Sequence, residues 1–150
     1  MGVLRVGICD DGSAICSEIE RIVKEYGKKH DLRLDTEMWS TGEALVDYLE
    51  DGNAIDLLFL DIDLITTSGV DIGQYIRHRL NNYSMKIVFI SANTTYAMSL
   101  FDIMPMNFLV KPLVKSKVEE CLDLAVMFLV KEEKVFQCKV AGKTHYIPFR

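Results

Sequence analysis

Leu57-Leu58-Phe59-Leu60 runs four apolar residues straight into Asp61. An apolar run of this length without alternation suits a central parallel strand that is covered on both faces. Ligands of open parallel sheets sit just outside the carboxyl ends of the strands. Asp61 then stands at that edge, anchored by a rigid strand and open to water. A carboxylate so placed is either a nucleophile or metal ligand, or a polar residue that merely ends a strand. This segment alone does not separate the two.

The flanking sequence supplies the rest of a sheet. Residues 3–9 read as a buried strand ending at Asp10-Asp11, with Ser13 as cap of a helix whose apolar face is Ile15, Ile19, Ile22, Val23 and Tyr26. Gly27 and the polar run to Asp31 close that helix. Residues 32–38 alternate as an edge strand, with Trp39 ending it and packing locally. Ser40-Thr41-Gly42-Glu43 has capping-box spacing and opens a second helix, closed at Gly52-Asn53. After the Asp61 strand, Ser68 caps a third helix reaching about Leu80. Residues 86–90 form a strand ending at Ser91, followed by a short helix over 95–101. Residues 107–110 form a strand ending at Lys111-Pro112, and Ser116-Lys117-Val118-Glu119 opens a last helix to about Lys131. Strand and helix alternate five times, which argues for an α/β fold with a parallel sheet and helices on both faces.

Asp10, Asp11, Asp61, Ser91 and Lys111 therefore all lie at one edge of the sheet. Three crowded carboxylates repel one another, and at least one takes up a proton unless a cation is present. An acidic, all-oxygen, partly open cluster is the natural site of Mg2+. Lys111 and the Ser91 hydroxyl suit a phosphoryl group, which Asp61 would accept by attack at phosphorus.

With these residues in place, the chain resembles the receiver domain of a bacterial two-component response regulator over residues 3 to about 131. The likeness rests on Cys9-Asp10-Asp11, Phe59-Leu60-Asp61-Ile62-Asp63, Gly69, Ile90-Ser91-Ala92 and Val110-Lys111-Pro112. It implies a flavodoxin-like three-layer (βα)5 sandwich with strand order 2-1-3-4-5. It implies Asp61 as phospho-acceptor, with Asp10, Asp11, Asp61 and the backbone carbonyl of Asp63 holding Mg2+. It further implies Ser91 as the switch hydroxyl, Lys111 as the phosphate-pairing lysine and Phe108 at the aromatic switch position. Phosphorylation by a sensor histidine kinase would then bias the surface formed by the fourth helix, fifth strand and fifth helix, with dimerisation on activation. The sequence departs from the family at Ile65, where proline is usual, which leaves the loop over 65–68 looser. It departs again at Gly12, where an acid is common, and at Asp63, an extra carboxylate beside the site.

Residues 135–149 read as two strands around Ala141-Gly142-Lys143. They resemble the opening of a LytTR-type DNA-binding domain, as 101–111 resembles the receivers that precede such domains. The expected division is a receiver over 1–131 and, over 132–150, a linker and the start of a truncated output domain through which a longer regulator would bind DNA and control transcription. The alternative to a C-terminal piece of output domain is a hairpin docked on its own receiver.

Composition bounds the partners. A net charge of −5 argues against this segment itself gripping nucleic acid or an anionic membrane. Cys9, Cys16, Cys121 and Cys138 show no CxxC pair or metal-ligand spacing and read as reduced thiols of a cytoplasmic protein. No signal peptide or membrane-length apolar run is visible. His30, His78 and His145 read as surface residues. Leu124, Met127, Phe128 and Val130 leave the last helix apolar on a second side, as for a dimer surface or a cover by the tail. The competing function is an enzyme, a Mg2+-dependent phosphatase of the haloacid dehalogenase type with Asp61 and Asp63 as nucleophile and acid–base. Against it, Asp10-Asp11 would have no role and no second acidic pair follows Lys111.

Overall fold

A computed structural model describes residues 2–93 and 100–140, with side chains through residue 130. Five parallel strands form one sheet in the order β2-β1-β3-β4-β5. They are β1 (Leu4–Cys9), β2 (Leu34–Trp39), β3 (Leu57–Asp61), β4 (Lys86–Ser91) and β5 (Asn107–Val110). The helices are α1 (Ser13–His30), α2 (Gly42–Glu50), α3 (Gly69–Gln74) and α4 (Lys115–Val140). This is the flavodoxin-like order and layering expected from the sequence.

Side-chain alternation along each strand builds two separate cores. Leu4, Val6, Ile8, Leu57, Phe59, Val88 and Ile90 meet α1 and α4 through Ile19, Ile22, Val118 and Leu122. Cys9, Leu58, Leu60, Ile87 and Phe89 face the other way, onto Leu45 and Leu49 of α2 and Ile72 of α3. Every residue of β3 is buried, as the unbroken apolar run requires of a strand with helices on both faces. The sheet's outer strand β2 keeps a wet face at Asp35 and Glu37. Trp39 closes it, buried against Tyr48 with ring centroids 4.9 Å apart.

Several helix ends differ from expectation. Ser13 is the first residue of α1 and caps nothing; Gly12 holds the cap position in extended conformation. The helix does not stop at Gly27 but runs to His30, where Asp31 turns it left-handed at φ 54°. Gly27 is needed instead for contact, since a Cβ there would sit 3.0 Å from the Leu32 carbonyl. The second helix is capped by the Thr41 hydroxyl, which accepts from the Ala44 N–H at 3.1 Å. Glu43 is therefore not the partner in a capping box. Ser68 caps α3 as expected, accepting from the Val70 N–H.

The continuation of α3 over Tyr75–Arg79 is a π-helical turn, in which the Leu80 N–H reaches back five residues to the Tyr75 carbonyl at 3.0 Å. Arg77 lies on its inner side, 2 % exposed. Its guanidinium donates to the carbonyls of Ile103, Asn82, Met85 and Met104 at 2.7–3.3 Å. Four carbonyls thus stand in for the carboxylate that a buried arginine usually needs.

The expected strand over 135–140 is not formed, because α4 continues without a break through Val140. Lys131, Glu132, Glu133 and Lys134 are good helix formers that carry the turn onward, whereas a lone two-stranded hairpin is marginal in water. The last helix therefore does not end near Lys131, where it was expected to stop. The hairpin turn at Ala141-Gly142-Lys143 and the strand after it lie outside the described residues, as do most of the expected helix over 95–101 and His145. Residues 100–103 form a single 3-10 turn. The second apolar side of α4 is only partly covered, with Met127 47 % exposed.

Candidate phospho-acceptor and metal site

Because all five strands run parallel, their carboxyl ends share one edge of the sheet. Cys9 pairs with Leu60 in register, so the residues that follow, Asp10 and Asp61, lie side by side on neighbouring strands. The backbone ladder carries on one step past the strands. The Asp10 N–H donates to the Trp39 carbonyl at 3.1 Å, and the Lys111 N–H to the Ser91 carbonyl at 3.0 Å. The positions of the polar residues are thus set by sheet hydrogen bonds rather than by loops.

The structure brings Asp10, Asp11 and Asp61 together: one carboxylate oxygen from each lies within 4.8 Å of the others. Asp10 and Asp61 are buried and Asp11 is exposed. The Lys111 ammonium lies 3.1 Å from Asp10 Oδ2 and 3.6 Å from Asp61 Oδ2. Desolvation acts to lower the Lys111 pKa, but pairing with Asp10 and Asp61 outweighs it and the net shift is upward. Burial raises the pKa of Asp61. The Asp10 and Asp11 charges add to the rise, while the Asp63 N–H and Lys111 oppose it.

One ammonium does not balance three carboxylates. Asp10 Oδ1 accepts from the Gly12 N–H at 2.8 Å, yet Asp10 Oδ2, close to the ammonium, takes no well-directed hydrogen bond. It is the one such buried side-chain oxygen among the described residues. Clustered hard oxygens and an excess of negative charge over the single ammonium are the donor set a Mg2+ ion fits.

Ser91 and Asp63 are closer partners than their positions in the chain suggest. The Ser91 hydroxyl donates to Asp63 Oδ2 at 2.8 Å and accepts from the Asn93 N–H at 2.9 Å. The Asp63 N–H donates to Asp61 Oδ1 at 3.0 Å. Phe108 is half-buried on β5 and packs against the core on the α2–α3 side. A carboxylate committed to a hydroxyl in this way gives no support to the phosphatase alternative, which needs Asp63 free as acid–base.

Two contacts that shape the site were not evident in the sequence. Gly69 packs its Cα onto the end of β3, where a Cβ would come 2.3 Å from the Asp61 carbonyl oxygen. Glu43 accepts hydrogen bonds from the Thr66 hydroxyl at 2.8 Å and the Thr67 hydroxyl at 3.2 Å. The loop expected to be looser without a proline is thus tied to α2. The signal lay in Thr66-Thr67, hydroxyls placed where a loop lacks its usual rigid residue. Among the described residues Cys9, Cys16 and Cys121 are buried free thiols. Burial pushes the Cys9 thiol up to about 12 and that of Cys121 up to about 11, away from reactive thiolate. His30 and His78 are exposed, as expected.

Among the described residues no helix is long and apolar enough to cross a membrane. Comparison with known proteins agrees with the geometry. Solved structures of similar fold include the chemotaxis response regulator CheY4 of Vibrio cholerae (TM-score 0.70, 14% identity, covering 83% of this chain and 99% of that one). Another is the response regulatory domain of MrkE from Klebsiella pneumoniae (TM-score 0.72, 22% identity, 83% and 96%). Curated relatives include the sensory transduction protein LytT of Bacillus subtilis, 27% identical over 120 residues, 80% of this chain and 47% of that one. The transcriptional regulatory protein LytR of Staphylococcus aureus is 24% identical over 116 residues, 77% and 44%. The chain therefore spans about half the length of the curated relatives it matches. Residues 6–123 match the response regulator receiver domain, and to that family the chain belongs.

Proposed function

We infer that the domain is a Mg2+-dependent phospho-acceptor, loaded on Asp61 by a sensor histidine kinase and coupled to a DNA-binding output domain that regulates transcription. The observation that carries the reading is the convergence of Asp10, Asp11, Asp61 and Lys111 at one sheet edge. An Asp61 carboxylate oxygen attacks the phosphorus of a phosphohistidine. The P–N bond breaks, and its electron pair leaves with the imidazole, which then takes a proton. Lys111, already within 3.6 Å of Asp61, pairs with the transferred group, and the Ser91 hydroxyl turns toward it. Asp10 and Asp11, with Asp61 and the Asp63 carbonyl, would hold Mg2+, which when bound neutralises phosphoryl oxygens.

The output side rests on the relatives. LytT and LytR are named for sensory transduction and transcriptional regulation, and each extends well beyond the region matched here. Packing of Phe108 on β5 gives the loaded site a route to the β5–α4 surface. Dimerisation through that surface on activation, and action in the cytoplasm, complete the reading.

The test is to incubate the protein with a small acyl- or amidophosphate and Mg2+ and weigh it. One phosphoryl adduct is expected, absent in Asp61→Asn and without Mg2+. No adduct, or an adduct that survives Asp61→Asn, contradicts the reading.

A further inference from the structure

We propose that Asp63 is a latch on the Ser91 hydroxyl, a positioning residue that sets how readily the site closes around a phosphoryl group on Asp61. The proposal rests on the phospho-acceptor reading above. A serine hydroxyl has a single proton to donate. Here that proton is committed to Asp63 Oδ2 at 2.8 Å, while the Ser91 oxygen accepts the Asn93 N–H at 2.9 Å. Ser91 is fully buried, so no bulk water competes for it. To donate to a phosphoryl oxygen, Ser91 must first release Asp63.

Asp63 is built to hold both sides of that choice. Its N–H fixes Asp61 Oδ1 at 3.0 Å while its carboxylate holds Ser91. Hydrogen bonds to a charged acceptor are the stronger kind, so the resting state is favoured until a more highly charged acceptor arrives. The Asp63 side chain is exposed, so once released its carboxylate is solvated by water. Asp63 thereby biases a two-state element towards rest without touching the transferred group.

A simpler effect would also weaken the loaded state: the Asp63 charge could repel any incoming anion, whatever Ser91 does. The two differ in their dependence on Ser91, and a double-mutant cycle separates them. Beryllium fluoride with Mg2+, which mimics a phosphoryl group on a carboxylate, is titrated calorimetrically into the wild type, Asp63→Asn, Ser91→Ala and the double variant. The latch predicts that Asp63→Asn tightens binding about tenfold when Ser91 is present, and less than twofold in the Ser91→Ala background. Asp63→Ala, which removes the acceptor altogether, gives the same Ser91-dependent gain. Thermal melts of each variant confirm folding. Equal tightening in both backgrounds reduces the effect to charge repulsion and overturns the latch, as does no tightening in either. Failure of the wild type to bind beryllium fluoride and to form the phosphoryl adduct removes the underlying reading and the latch with it. Binding by the wild type without Ser91 dependence removes the latch alone.

Discussion

Asp61 is held in a form that works against the resting protein. It lies buried beside two other carboxylates, and its pKa is raised above the ordinary value chiefly by desolvation. An acid whose folded pKa is raised binds more protons folded than unfolded, so stability falls as pH rises through that window. The cost is complete above the folded pKa and absent below the unfolded one. In Mg2+-free buffer at neutral pH, Asp61→Asn should therefore melt at a higher temperature than the wild type. The advantage should fade below about pH 4, where the wild-type carboxyl is protonated in both states. An Asp61→Asn protein that melts lower than the wild type at neutral pH would mean that the Lys111 pairing outweighs burial. The residues of this site were legible for a simple reason: each sits where a strand ends, and a strand end can be read from local pattern. The Ser91–Asp63 and Glu43–Thr66 pairings were not, since each joins a loop residue to a strand or helix residue distant in the chain.

At the scale of elements, local sequence located strands and helices better than it located their ends. Gly27 has the character of a helix stop, yet α1 passes through it and closes at Asp31, while a Cβ at Gly27 would press on the Leu32 carbonyl at 3.0 Å. A local signal did not decide the helix end. Arg77 shows the same in reverse. A charged residue beside Ile76 was unremarkable in the sequence, but it is the strut between the π-helical turn, the start of β4 and the approach to β5. Arg77→Ala should remove about 3 kcal/mol of stability, measured by denaturant unfolding, because several carbonyls lose a charged donor at once. Arg77→Lys should recover only a minor part, since a single ammonium cannot span the four acceptors. Full recovery by lysine would show that charge alone, and not the guanidinium fork, supports this corner. The expected strand over 135–140 failed for a related reason: among the described residues no neighbouring strand is there to pair with it, and the helix simply carried on.

Across the whole molecule, the parallel sheet makes one edge collect what the chain distributes over a hundred residues. Two cores hold the strands rigid, and charge that neither core could tolerate is left at the rim. The alternation of elements implied a parallel sheet, the strand order followed from the family resemblance alone, and that order carries the site with it. A pocket with three carboxylates and one ammonium should be relieved by a divalent cation, and the relief should register in global stability. The most direct measurement is a thermal melt of the unphosphorylated protein across a Mg2+ titration, for the wild type and Asp11→Asn. At Mg2+ one hundred times its Kd, the wild type should gain about 2.7 kcal/mol, or roughly 5–10 °C for a domain of this size, and Asp11→Asn should lose most of that gain. A wild-type melt indifferent to Mg2+, or an Asp11→Asn protein that keeps the full shift, would contradict the claim that these carboxylates form one cation site.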